Sequence, residues 1–149
     1  MRANGYGEDA IAHVGAVIRK ERLKKDADSQ ALENVAAVVF LEYYLDDFLN
    51  KYAGYDDGKL VDILAKTLCK MSPKGHAAAL ALPLPARARA LIGEALRREA
   101  DALARLAATA ARLVVEEGLE YGPAKRRAVK QLGLNARASL PNNEAVEDA

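Results

Sequence analysis

Glu42 and Asp46 stand four residues apart in the stretch Leu32 to Tyr52, LENVAAVVFLEYYLDDFLNKY, so on a helix their carboxylates share one face. Two carboxylates so placed can hold a divalent cation or shuttle protons. A hard cation needs about six oxygen ligands, however, and a transition metal usually takes histidine as well. The only histidines are His13 and His76, and neither falls in a Glu-x-x-His or His-Glu-x-x-His pattern. The expected role is therefore structural: a buried polar cluster in which Glu42 and Asp46 pair with Lys66 or Lys70 across a helix hairpin. No metal, cofactor or catalytic residue is implied.

Other reactive side chains have similarly plain readings. His76 lies in the first turn of a helix, where the positive end of the dipole disfavours protonation, so a neutral hydrogen-bonding imidazole is expected. Lys74-Gly75 at the same helix start could receive a phosphate, although no Walker glycine pattern surrounds it. Cys69, flanked by apolar residues in LAKTLCKM, reads as a small buried side chain. Basic groups occur at Arg19 to Lys25 and at Lys125, Arg126, Arg127 and Lys130. The second group can present a local cationic patch to phosphates, but it has no interleaved aromatics to stack on bases.

The elements that must position these residues are all helical. Apolar positions Ile11, Val14, Val17 and Ile18 predict a first helix from Glu8 to about Leu23. The stretch around Glu42 is apolar almost all the way round, which predicts a core helix enclosed by others. Glycines and aspartates at residues 53–58 end it. An amphipathic helix follows from Lys59 to Met71, and Ser72-Pro73 reads as the cap and first residue of a short helix through Leu80. Pro83-Leu84-Pro85 breaks the chain.

Beyond that break, residues 86–117 predict one long helix or two nearly collinear ones. Its stripe, Ile92, Leu96, Leu103, Leu106 and Leu113, needs cover from a second chain, from the C-terminal segment or from its own domain. Pro123 suits the first turn of a further helix that Gly133 stops, and the tail is polar. The fold class is all-α: a compact helical bundle over 1–96, then a long-helix extension and C-terminal helical module over 97–149.

Composition narrows the function classes. The chain has 149 residues, 51% hydrophobic content and a formal net charge of +1, so it offers no global attraction to nucleic acid or an anionic membrane. A single cysteine excludes an internal disulfide and suits a reducing cytoplasm. The N-terminal residues lack the basic and apolar regions of a secretory signal, and no apolar run reaches the roughly 20 residues needed to span a bilayer. A cytoplasmic protein is expected.

Two stretches resemble known families. VGAVIRKERLKKDADSQALENVAAVVFLEYYLDDF with DGKLVDILAKTLCKMSPKGHAAALAL, within residues 5–96, resembles the C-terminal two-thirds of an uncharacterised bacterial all-helical family. That family is known as a domain of unknown function and often carries the label glutamyl-tRNA synthetase. A synthetase needs a nucleotide-binding α/β domain, whereas this chain shows no alternating strands. The family resembles His-Asp-type metal phosphohydrolases, with histidines in an earlier region and an acidic pair before the core helix. Here the chain starts after that region and the pair reads Glu33-Asn34. Residues 106–149 are similar to the short N-terminal helical module of bacterial nucleotidyltransferase-like proteins, whose catalytic carboxylates lie in a later domain.

Three readings follow. The first is a non-catalytic helical interaction module, a homo-oligomer or the partner of another protein, joined through the Ala86–Leu113 stripe. The second is an RNA or tRNA accessory module using Lys125, Arg126, Arg127 and Lys130. The third is a degenerate phosphohydrolase remnant.

Overall fold

The computed structural model describes residues 1–134 and 140–149; the middle of the polar tail, 135–139, lies outside the described residues. All regular structure among the described residues is helical, with no strand. The chain divides into two compact units, Met1–Ile92 and Gly93–Ala149.

In the first unit, α1 runs over Glu8–Ile18, shorter than its apolar periodicity predicts. Lys20 turns to φ 55°, its N–H donates to the Val17 carbonyl at 3.0 Å, and the Glu21 N–H donates to the Ala16 carbonyl at 3.2 Å. These are the paired reversed bonds of a Schellman stop, at a position glycine usually fills. The lysine that stands here forms an ion pair with Glu33.

The segment expected to be one enclosed helix is three pieces. Helix α2, Ala27–Val39, starts under a cap in which Asp26 Oδ2 accepts from the Ser29 N–H at 2.7 Å. A π-helical turn follows at Phe40–Tyr44, and α3 continues over Leu45–Lys51. An unbroken α-helix drifts about 40° for every four residues, so positions 37, 41, 45 and 49 would fan over about 120°. The wider π turn takes up part of that drift. Ala37, Leu41, Leu45 and Leu49 are all buried in consequence. The opposite side is not enclosed: Leu32, Val35, Val39, Tyr43 and Tyr44 are exposed. The sequence reading of a helix covered all round is corrected by this open face.

Helix α4, Asp57–Leu68, is capped by Asp56 and buries Leu60, Val61, Leu64 and Leu68. Helix α5, Pro73–Ala81, starts on Ser72, whose Oγ accepts from the Gly75 N–H at 3.3 Å, with Pro73 in the first turn where its missing donor is harmless. Helix α2 packs against both α1 and α5. The opening turns of α6, Ala86–Glu117, complete the unit by burying Ala88, Leu91 and Ile92.

In the second unit the rest of α6 meets α7, Tyr121–Gln131, and α8, Asn143–Glu147. Its core joins Leu106, Ala107, Ala110 and Leu113 to Ala124, Ala128 and Val146. The alanines let the backbones approach, so Leu106 and Leu113 of the stripe find cover within this unit. Gly118 and Gly133, at φ 65° and 62°, form the stops of α6 and α7. The stripe expected to be an interface is thus mostly interior. Ile92, Leu106 and Leu113 are buried, while Leu96 and Leu103 are half-buried.

No helix among the described residues is long and apolar enough to cross a membrane.

Candidate functional site

The open side of α2 and α3 is the most conspicuous surface of the first unit. Leu32, Val35, Val39 and Tyr43 follow one another at steps of three, four and four, which sets them in a line along the helix. Val35 is 60% exposed, Tyr43 66% and Tyr44 59%. A buried aromatic contributes about 150–250 Å², so these five side chains leave roughly 400–500 Å² of largely apolar surface in water, the size of patch that commonly serves binding.

The rim of the face is acidic. Glu42, Asp46 and Asp47 are exposed. Asp28, at the other end, is exposed and lies 2.8 Å from His13 Nε2. No lysine or arginine occurs between Ala27 and Asn50. The predicted buried cluster is corrected accordingly. Glu42, Asp46, Lys66 and Lys70 are all exposed, and no ion pair joins the two sets among the described residues. The reason is the π turn, which keeps the leucines inward and carries Glu42 and Asp46 out to the flank of the open face.

Glu33 is a buried carboxylate, only 5% exposed. Its Oε2 makes an ion pair with Lys20 Nζ but no aligned hydrogen bond. Asn34 beside it makes three hydrogen bonds. Its amide donates to Ser72 Oγ at 2.8 Å, and its Oδ1 accepts from the Ser72 N–H at 2.9 Å and from Gln30 Nε2 at 3.2 Å. The Glu33-Asn34 pair therefore joins α2 to the turn after α1 and to the start of α5. No three His, Cys, Asp or Glu side chains gather as metal ligands among the described residues.

The remaining candidates have structural partners. His76 Nε2 lies 2.8 Å from the Leu68 carbonyl, which can only accept, so that nitrogen carries the hydrogen and donates. The Gly75 N–H that could have met a phosphate is bonded to Ser72. Cys69 is half-buried rather than buried, and its Sγ donates to the Lys66 carbonyl at 3.3 Å. Lys24 Nζ donates to the Cys69 and Met71 carbonyls, at 2.9 and 3.3 Å, tying the α1–α2 connection to the end of α4.

The basic quartet of α7 is divided. Lys125 is 8% exposed and donates to Asn143 Oδ1 at 2.6 Å, and Arg127 pairs with Glu117. Arg126 and Lys130 are exposed. Two of the four cations are therefore committed to holding the second unit together, because α7 turns one of them inward toward α8 and another toward the end of α6.

Sequence reasoning missed Leu32, Val35, Val39 and Tyr43 as surface residues. Their signal was present as an apolar helix with acids on one flank and no cation before Lys51 at its end.

A family model described as a domain of unknown function (DUF4202) matches residues 1–92, the stretch that forms the first unit. No curated protein and no solved structure matches the chain.

Proposed function

Because the chain belongs to the DUF4202 family of domains of unknown function, we propose from the shape of its surface that it is a helical docking module that binds another protein through the open face of α2 and α3. The observation that carries this reading is the exposed line Leu32, Val35, Val39 and Tyr43 on an otherwise well-packed helix. Solvating that much contiguous apolar surface costs free energy that a partner would recover. Tyrosine supports the reading, since it combines a large rigid contact area with a hydroxyl that tolerates water when unbound.

The polar pair on the covered side of α2 has structural partners: Glu33 pairs with Lys20, and Asn34 bonds to Ser72 and Gln30. Self-association through the α6 stripe is a weaker reading, since Leu106 and Leu113 already pack against α7 and α8. The single cysteine supports a reducing cytoplasm as the place of action.

The test is photo-crosslinking from Val35 in cells, with exposed Ala78 on α5 as the control position. One discrete protein adduct from Val35, absent from Ala78 and lost on Tyr43→Glu, is the expected result. Equal labelling from both positions, or no adduct from Val35, removes the proposal.

A further inference from the structure

We infer that the occupant of the open α2–α3 face is a basic amphipathic helix, an inference that rests on the docking reading above and specifies its partner. Three observations lead to it. The apolar line is bordered by the exposed Glu42, Asp46 and Asp47 towards its C-terminal end, with no Lys or Arg between Ala27 and Asn50. Among the described residues no ion pair takes up Glu42, Asp46 or Asp47. The apolar line itself runs along one helix at steps of three and four, the pattern another helix fills with its own residues at the same steps.

A second copy of the chain fits less well. Parallel pairing of two such faces sets Glu42, Asp46 and Asp47 of one copy against the same residues of the other, like charge on like charge. A single helix has a narrower footprint. Its Lys or Arg side chains can lay their stems along the apolar line and place their charges at the acidic rim, and a guanidinium can stack on Tyr43 or Tyr44.

The experiment uses the full chain, labelled with nitrogen-15, and three synthetic peptides of about 18 residues, long enough to run along the face. One peptide carries Leu at helical steps with Lys elsewhere. The second has the same Leu positions with Glu elsewhere. The third scrambles the Leu/Lys composition so that no apolar face forms. The amphipathic Leu/Lys peptide is expected to shift the amide signals of Val35, Val39 and Tyr43, and to bind at least about tenfold tighter than the Leu/Glu peptide at low salt, the gap closing as salt screens it. Glu42→Gln, Asp46→Asn and Asp47→Asn together should abolish that gap. Val35→Glu, verified as folded by circular dichroism, should weaken the Leu/Lys peptide roughly thirtyfold, as loss of a central anchor does.

Equal binding of the Leu/Glu peptide at the same residues would overturn the basic partner and leave the docking face standing. Equal binding of the scrambled peptide would overturn the helical partner, because charge alone would then suffice. Absence of any shift along Leu32–Tyr44 with every peptide would overturn the docking reading itself.

Discussion

Lys20 is held in the left-handed region by its attraction to Glu33, and that balance can be measured by separating the charge from the backbone. A non-glycine residue in this region costs about 1–2 kcal/mol, and glycine would recover roughly 1 kcal/mol of it after its larger loss of chain entropy. Removing one partner of a fully buried ion pair costs about 3–5 kcal/mol, and an exposed pair contributes about 0.2–1 kcal/mol. Here the Glu33 side chain is 7% exposed and that of Lys20 is 45% exposed, so an intermediate cost of about 2 kcal/mol is expected. Lys20→Met, which keeps the strain and removes the charge, should therefore destabilise the first unit by about 2 kcal/mol. Lys20→Gly, which loses the charge and relieves the strain, should destabilise it by only about 1 kcal/mol. Glu33→Gln removes the buried charge and leaves Lys20 near water, so its cost should stay below that of Lys20→Met. The assay is urea unfolding followed at amide signals of Leu41 and Leu60, which report the first unit separately from the second. A Lys20→Met variant within about 0.5 kcal/mol of the parent would refute the role of the pair. A Lys20→Gly variant as unstable as Lys20→Met would refute the strain.

Three further outcomes follow from particular contacts. A Cβ at Gly75 would lie 2.5 Å from Asn34 Oδ1 and 2.8 Å from its Cγ, so Gly75→Ala should break the Asn34–Ser72 link and cost about 1–3 kcal/mol in the same urea assay. The His13 pKa is raised above its ordinary 6.5 chiefly by the hydrogen bond with Asp28, with added attraction from Asp26. The raised pKa belongs to the folded state, so this contribution is complete below the unfolded value and is lost as pH rises through the folded one. Hydrogen exchange of α1 amides at low salt, normalised for the intrinsic pH effect, should show better protection at about pH 5 than at about pH 8, and the difference should vanish in His13→Gln. In the second unit, Lys125→Ala removes the donor to Asn143 at the start of α8. Exchange protection around Val146 should then fall while that around Leu106 persists, and an unchanged α8 would show that the bond holds nothing.

Much of the fold was legible because helix boundaries are local events. Ser72-Pro73 starts α5, the prolines at 83 and 85 separate α5 from α6, and Gly133 stops α7. Each of these depends on side-chain chemistry within a few residues of the backbone group it satisfies. The all-helical class and the amphipathic character of α4 follow from periodicity in the same way. The candidate site was legible only as an anomaly, a helix with too many apolar sides and too few cations.

The tertiary structure decided which of those sides is covered. Rotation accumulates along a helix, so the π turn at Phe40–Tyr44 fixes which residues of the long stretch face inward, and it sends Glu42 and Asp46 outward while Leu41, Leu45 and Leu49 stay in. The same holds for charge: Glu33 and Lys125 became the buried groups because Lys20 and Asn143, distant in sequence, were brought to them. A sequence pattern states which residues share a helix face, but whether that face meets leucines, a lysine or water depends on where the other helices pack.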